Sequence, residues 1–162
     1  VEALKEKTKL KNKKALVVGA GGGARAVVYG LKKENAGVTI INRTIEKAKI
    51  LAKEFNAKFD DMKNIKQLIK NNEIIINTTS VGMVPNTNES IINGNDLIKG
   101  KIVMDLVYKP SETKLIKLAR KAKCSVITGD RMLIYQAMDQ FKLWTGQEPG
   151  FKSTESALKQ YL

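Results

Sequence analysis

Residues 15–24 read ALVVGAGGGA, and this stretch decides the fold class. The apolar run from Ala15 to Val18 is typical of a buried parallel strand. The turn after it, from Gly19 to Ala24, has the spacing G-x-G-x-x-A. The first glycine allows a tight turn into a helix, the second lets the backbone approach a pyrophosphate, and the final alanine keeps helix and strand close. The stretch therefore predicts a strand, a turn and a helix whose N-terminus binds the phosphates of a dinucleotide. The alternative is that the glycines only allow the chain to turn and bind no ligand.

Further short apolar runs follow along the chain, and helical patterns separate them. The runs that we predict as strands are Val38 to Ile41, Ile74 to Ile76, Ile102 to Met104, Val126 to Ile127 and, more weakly, Ala57 to Phe59. Strands that alternate with helices favour parallel pairing through right-handed crossovers. We therefore predict an α/β fold: a Rossmann-like, doubly wound, mainly parallel six-stranded sheet with helices on both faces.

Apolar residues at helical spacing mark the predicted helices. They are Val27, Val28 and Leu31; Ala48, Leu51, Ala52 and Phe55; Leu115, Ile116, Leu118, Ala119 and Ala122; and the stretch from Met132 to Trp144. Thr44 is a candidate N-cap for the second of these helices, with its hydroxyl accepting from a first-turn amide. Residues 1–14 have few core candidates and predict a helix or linker that ends in a turn at Lys11-Asn12-Lys13. An amphipathic pattern near the C-terminus includes Ala157, Leu158, Tyr161 and Leu162.

The composition narrows the class of function. The chain has 162 residues with a net charge of +13, which suits an anionic partner without naming one. The absence of histidine excludes imidazole chemistry and histidine-ligated metal, and we expect no metal site. One cysteine, Cys124, excludes an internal disulfide, so we expect a cytoplasmic protein with this thiol buried. No apolar run is long enough for a membrane span.

The residues after the second predicted strand indicate which dinucleotide binds. NAD-binding domains usually have a carboxylate here, which accepts from the ribose hydroxyls. This chain has Asn42-Arg43-Thr44, with Lys47 one helical turn further on. The Arg43 guanidinium and these neighbours suit a 2′-phosphate, so we predict NADP rather than NAD. The alternative is that Arg43 is simply a solvated surface cation.

Five segments together resemble the C-terminal, NADP-binding half of shikimate dehydrogenase, and the resemblance covers essentially the whole chain. They are GAGGGARA (19–26), NRT (42–44), NTTSVGM (77–83), DLVYKPSETKL (105–115) and GDRMLIYQAMDQFKLWTG (129–146). The first two also occur in other NADP enzymes, whereas the last is the most specific.

The resemblance assigns roles to individual residues. Gly21, Gly22 and Gly23 would hold the pyrophosphate, and Asn42, Arg43, Thr44 and Lys47 would surround the ribose and its 2′-phosphate. Thr79 and Ser80 would line the path toward the nicotinamide, and Leu106, Gly129 and Met132 would position its ring. Tyr108 and Gln136 would contact the substrate. Without the resemblance, core packing would be the simpler interpretation of Leu106 and Met132, and surface exposure that of Tyr108 and Gln136.

The resemblance also implies a reaction, the reversible reduction of 3-dehydroshikimate to shikimate by NADPH in aromatic amino-acid biosynthesis. The proton-transferring Lys and Asp of that family lie in an N-terminal substrate domain, and no segment of this chain matches it. We therefore expect a fragment of a longer chain: an interdomain helix or linker at 1–13, an NADP-binding domain at 14–146 and a C-terminal helical segment at 147–162. Such a fragment should bind the cofactor without turnover, and the parent should be a monomer or homodimer.

Three alternatives remain open on the sequence. The parent could accept quinate as well as shikimate, because relatives that do so differ largely in the substrate domain. The chain could be a stand-alone NADP-binding module. It could also be a basic nucleic-acid-binding domain, although aromatic residues are only 6% and form no interleaved basic–aromatic stripe. We therefore expect neither a nucleic-acid nor a membrane partner.

Overall fold

A six-stranded parallel sheet forms the centre of the computed structural model, which describes residues 1–159. The strands lie in the order β3-β2-β1-β4-β5-β6. Their bounds are β1 Lys14–Val18, β2 Gly37–Ile41, β3 Lys58–Asp60, β4 Ile74–Asn77, β5 Ile102–Asp105 and β6 Ser125–Ile127. Every neighbouring pair is parallel. The predicted doubly wound fold is therefore confirmed, including the short β3.

Helices cover both faces of the sheet. Those among the described residues are α1 Glu2–Lys5, α2 Gly22–Lys33, α3 Ile45–Glu54, α4 Ile65–Asn71, α5 Lys114–Lys121, α6 Gly129–Thr145 and α7 Phe151–Lys159. None of these helices combines the length and the apolar character that crossing a bilayer requires. Tyr161 and Leu162, predicted to continue the C-terminal pattern, lie outside the described residues.

Alternation along β1 shows how the core divides into two. Ala15 and Val17 face one cluster, which α2, α3 and α6 cover, whereas Leu16 and Val18 face the other, which α4 and α5 cover. All four side chains are completely buried. A strand buried on both faces has no polar face, which is why β1 is a continuous apolar run in the sequence.

The N-terminal segment contributes more to the core than the sequence indicated. We expected few core residues before β1, but Ala3, Leu4 and Leu10 are all buried in the same cluster as α2. The helix α1 packs against α6, so this segment closes one side of the core instead of merely leading into it. The predicted turn is present, with Asn12 at φ 65°.

The predicted N-cap of α3 needs correction. Thr44 does precede α3, but its side chain makes no capping hydrogen bond; its carbonyl instead accepts from Lys47 N at 3.1 Å. The hydroxyl that does cap a helix is that of Thr113, which accepts from Ile116 N at 3.3 Å.

The helix α4 was not predicted, because it offers a single amphipathic turn in seven residues. Cys124, expected to be buried, is only half-buried, with its thiol donating to Ile98 O at 3.3 Å.

Candidate functional site

The carboxyl ends of the central strands meet at one edge of the sheet. Val18, at the end of β1, pairs with Ile41 on one side and Asn77 on the other, and Asn77 pairs with Asp105. The loops after four strands therefore begin side by side. Ligands of doubly wound sheets bind at this edge, where two loops diverge from neighbouring strands.

The turn after β1 requires glycine at its first position. Gly19 has φ +118°, a conformation that residues with a side chain rarely adopt. A Cβ atom there would also lie 2.4 Å from Thr78 Oγ1. The Thr78 hydroxyl is itself fixed, because it donates to Val18 O at 2.8 Å. Gly19 N donates to Ile41 O at 2.8 Å, which ties the turn to β2.

The glycines that follow leave the start of α2 open. A Cβ atom added at Gly21 or Gly22 would meet nothing within 4 Å. Arg25 N donates to Gly21 O at 3.0 Å, but the N–H groups of Gly21, Gly22 and Gly23 have no acceptor among residues 1–159. Free first-turn amides and the positive end of the helix dipole make this a place for an anion. The geometry thus fits a phosphate brought close to the backbone.

A cavity of about 390 Å³ lies beside this turn, and we call it the Arg43 pocket. It brings together many of the residues predicted to bind the cofactor: Gly19, Gly21, Asn42, Arg43, Thr44, Lys47, Thr79 and Ser80. Two of them are cations, and its lining includes no carboxylate. The pocket is therefore suited to an anionic ligand.

The cations of the Arg43 pocket are free to bind. Arg43, Thr44 and Lys47 are exposed, and neither cation forms an ion pair with a carboxylate of the described residues. Asn42 is held in place, since its Nδ2 donates to Thr44 O at 2.9 Å. An unpaired guanidinium at the start of α3 can bind a phosphate without first giving up another partner.

A second cavity, of about 510 Å³, lies on the other side of the turn, and we call it the Leu106 pocket. It contains four further predicted residues, Gly23, Leu106, Met132 and Gln136, and also Tyr135 and the start of the chain. A Cβ atom at Gly23 would lie 3.2 Å from Leu106 Cδ2, so the glycine leaves room for that side chain. Most of the lining is apolar, and Glu2, Asp139 and two glutamines add polar groups to it.

The remaining predicted residues line neither pocket. Gly22 lies at the exposed start of α2. Gly129 starts α6 under the neighbouring loop, where a Cβ atom would be 2.3 Å from Val107 O. Tyr108 is 42% exposed, immediately beyond that loop. Gly129 therefore permits α6 to approach Leu106, while Tyr108 lies beside the pockets with its ring accessible.

The structure contains two groups of polar residues that the sequence patterns do not indicate. One is a buried set at the ends of β4 and β5, formed by Asn77, Asp105 and Thr113. Burial raises the pKa of Asp105, while hydrogen bonds from Thr113, Val107 and Asn77 oppose that rise. Its signal in the sequence was a pair of polar residues, Asn77 and Asp105, closing two otherwise apolar strands.

The other missed group joins the N-terminal segment to α6. Arg131 Nε lies 3.0 Å from each Glu6 oxygen, and Tyr135 Oη donates to Glu6 Oε1 at 2.6 Å. Partial burial raises the pKa of Glu6, but these hydrogen bonds outweigh it, so the pKa is lowered overall. Arg131 also lies over the ring of Phe151, 4.1 Å from its centroid. The carboxylate that follows α1 thus contacts α6 directly and is connected to α7 through Arg131.

Two family models match the chain. The model of shikimate / quinate 5-dehydrogenase matches residues 2–108, and that of the shikimate 5′-dehydrogenase C-terminal domain matches residues 131–159. A curated relative, the NADP(+) shikimate dehydrogenase of Methanothermobacter thermautotrophicus, is 39% identical over 170 residues. That match covers 100% of this chain and 60% of the relative, so the chain spans about three fifths of its relative's length.

Solved structures of the same family are similar throughout. A shikimate dehydrogenase in complex with NADP+ has a TM-score of 0.90 and 38% identity, covering 99% of this chain and 58% of that one. The quinate dehydrogenase of Corynebacterium glutamicum in complex with NAD also has a TM-score of 0.90, at 30% identity, covering 98% of this chain and 59% of that one. Both kinds of nicotinamide cofactor therefore occur among similar structures.

Proposed function

Because the chain belongs to the shikimate / quinate 5-dehydrogenase family, we propose that it is the NADP-binding part of a shikimate dehydrogenase. The whole enzyme would catalyse reversible hydride transfer between NADPH and 3-dehydroshikimate, giving shikimate and NADP+. The chain spans about 60% of a curated relative, which supports a longer parent protein with its substrate domain elsewhere.

The Arg43 pocket is the observation that carries the choice of cofactor. Arg43 follows β2 and Lys47 lies in the first turn of α3. The pocket lining has no carboxylate, whereas an NAD-binding domain would place one after this strand. The 2′-phosphate would lie against these cations and the N-terminus of α3. The pyrophosphate would lie against the free amides from Gly21 to Gly23, at the start of α2.

The Leu106 pocket is the proposed site of the nicotinamide, which supplies the hydride when NADPH is bound. Gly23, Leu106 and Met132 would contact its ring, and Gly129 would let α6 approach closely enough to do so. An apolar surround would also keep water from the transferring carbon. Tyr108 and Gln136, beside and within this pocket, would contact the substrate.

We assign no catalytic acid or base to these residues. The proton donor expected from the family resemblance is a Lys and Asp pair outside the present sequence. The proposed role of this part is to bind and orient the cofactor, so it should bind NADP(H) without turning over substrate. The single half-buried thiol supports a cytoplasmic location, and the parent would act as a monomer or a homodimer.

The first experiment is a calorimetric titration of the chain with NADP+ and with NAD+. We expect tighter binding of NADP+, and in Arg43→Asp a loss of that preference by about tenfold to 150-fold, the value of a charge-assisted hydrogen bond of about 1.5–3 kcal/mol. Lys49→Asp is the matched control, because it makes the same charge change on exposed α3 surface outside the pocket.

Equal affinity of the wild type for the two cofactors would contradict the proposed NADP preference. That outcome would favour the alternative represented by the NAD-bound quinate dehydrogenase among the similar structures. Loss of the preference in both variants would show that overall charge, rather than Arg43, selects the cofactor.

A further inference from the structure

Asp105 is a completely buried carboxylate at the end of β5, and it lines neither pocket. Its Oδ1 accepts from Asn77 Nδ2 at 2.9 Å and from Val107 N at 3.0 Å. Its Oδ2 accepts from Thr113 Oγ1 at 2.7 Å. No lysine or arginine of the described residues forms an ion pair with it.

The three partners are all donors, and with Asp105 they join three segments: the end of β4 through Asn77, the loop after β5 through Val107, and the start of α5 through Thr113. Burying a charge without a cation is costly unless hydrogen bonds satisfy its lone pairs, and here a side-chain amide, a backbone amide and a hydroxyl do so. Breaking one of these bonds leaves a buried group unsatisfied, which costs more than the bond itself contributes. The arrangement therefore holds the three segments in one relative position.

Two of those segments lead directly to the pockets. Asn77 Oδ1 accepts from Thr79 N at 3.0 Å and from Thr79 Oγ1 at 2.7 Å, so the Asn77 side chain connects Asp105 to the wall of the Arg43 pocket. Val107 follows Leu106, which lines the Leu106 pocket. In addition, Leu106 N donates to Asn77 O at 2.9 Å. One carboxylate thus fixes the loops after β4 and β5 relative to each other.

We propose that Asp105 is a positioning residue for the nicotinamide half of the cofactor. By holding the Thr79 and Leu106 loops at a set spacing, it shapes the passage from one pocket to the other without touching the ligand. The adenosine half depends on the glycine turn and on Arg43, which make no contact with Asp105. The inference rests on the proposed function, since it assumes that a nicotinamide dinucleotide spans both pockets.

The test compares NADPH with adenosine 2′,5′-bisphosphate, which has the 2′-phosphate but lacks the nicotinamide half. The variants are Asp105→Asn, which keeps the shape and removes the charge, and Thr113→Val, which removes one donor in a residue that lines neither pocket. Asp96→Asn, a half-buried carboxylate outside both pockets, is the matched control. Binding is followed by calorimetry and by the fluorescence of the nicotinamide ring.

In wild type and control we expect bound NADPH to show enhanced, blue-shifted emission. Asp105→Asn should lose this signature and bind NADPH about tenfold more weakly, with a much smaller loss for the bisphosphate, whose pocket includes Thr79 but not Leu106. Thr113→Val should change the emission signature and the NADPH affinity in the same direction by less. A merely structural role of Asp105 would weaken the binding of the two ligands equally.

Three outcomes in the variants would overturn the inference. One is a normal emission signature in Asp105→Asn, and another is an equal loss of affinity for the two ligands in folded protein. The third outcome applies if Asp105→Asn fails to fold: it is a normal NADPH emission signature in Thr113→Val. The inference is also contradicted if the wild type binds the bisphosphate but bound NADPH emits as it does in free solution. If the wild type binds neither ligand, the proposed function is refuted, and the inference with it.

Discussion

Gly19 and Gly21 are two residues apart in the same loop, yet the structure constrains them in different ways. Gly19 has a positive φ and faces the Thr78 hydroxyl. Gly21 precedes α2 with φ −91°, which any residue can adopt, and faces open space. The first glycine is required by the fold, and the second is required only if a ligand comes close.

This contrast gives a prediction at the scale of single residues. Gly19→Ala should lower the free energy of unfolding by about 1–3 kcal/mol, the usual cost of forcing a side chain into a strained backbone conformation. Gly21→Ala should leave stability nearly unchanged but weaken NADP+ binding, because its methyl group would occupy the space proposed for the pyrophosphate. Urea unfolding and calorimetry measure the two effects separately.

Ala20 provides the comparison, since it is an alanine in the same loop that the structure already accommodates; Ala20→Gly should affect binding little. A Gly21→Ala variant that binds NADP+ as well as the wild type would show that no phosphate approaches this turn. A Gly19→Ala variant of normal stability would contradict the left-handed backbone conformation of Gly19.

Single residues also show how far the site was predictable. Arg43 could be identified because its position after a strand is fixed by local spacing. The set around Asp105 could not, because Asp105 contacts Asn77 across 28 positions and Thr113 across 8. Such contacts depend on which strands become neighbours, and an Asp at the end of an apolar run indicates only that the strand stops.

At the scale of elements, Glu6 connects the N-terminal segment to two helices near the other end of the chain, α6 and α7. It accepts from Arg131 and Tyr135 of α6, and Arg131 in turn stacks on Phe151 of α7. The Glu6 and Arg131 side chains are 26% and 36% exposed, so solvent screens part of their attraction. The connection should therefore contribute modestly to stability.

Glu6 makes the stability of the protein depend on pH. Its pKa is lowered in the folded state, so its contribution is present above the ordinary value of 4.5 and is lost as the pH falls through the lower folded value. Glu6→Gln should cost about 1 kcal/mol at neutral pH, and the difference from wild type should shrink below pH 4.5. Urea unfolding across this pH range provides the measurement.

Glu112→Gln is a suitable control, because its ion pair with Arg120 is more than half exposed and should contribute little at any pH. A difference between Glu6→Gln and wild type that persists unchanged in acid would assign the effect to lost packing rather than to lost charge.

The elements themselves were more predictable than their contacts. Apolar runs indicated all six strands, most clearly the central ones, which are buried on both faces and have no polar alternation to obscure them. The exposed edge strand β3 gave the weakest pattern. The helix α4 was missed because seven residues give too short a pattern. The burial of Ala3, Leu4 and Leu10 was missed because α1 is stabilised by packing on α6 rather than by its own sequence.

At the scale of the whole molecule, the site lies where separate parts of the chain meet. The Arg43 pocket takes residues from the loops after β1, β2 and β4, and the Leu106 pocket takes residues from α1, α2, β5 and α6. A ligand that spans both pockets would bind the native state only, since the unfolded chain cannot assemble either one. Such a ligand stabilises the whole fold.

Saturation with NADP+ should therefore raise the melting temperature. At a concentration one hundred times Kd the gain is about 2.7 kcal/mol, which corresponds to about 5–11 °C for a protein of this size. The same concentration of NAD+ should give a smaller shift, and Arg43→Asp should remove the difference. Differential scanning calorimetry tests this, and equal shifts for the two cofactors in the wild type would contradict the proposed selectivity.

The strand order has a consequence for how the protein is made. β1 pairs with β2, about two dozen residues later, but its other edge is paired only by β4, 60 residues after β1 begins. The additional loop-closure entropy is small, about 0.8 kcal/mol. The ribosome adds about 5–20 residues per second, so several seconds pass between the synthesis of β1 and that of β4. During this time one apolar edge of β1 is unpaired. Unpaired strand edges favour aggregation, so synonymous codon changes that slow translation before β4 should lower the yield of folded protein without changing its final stability.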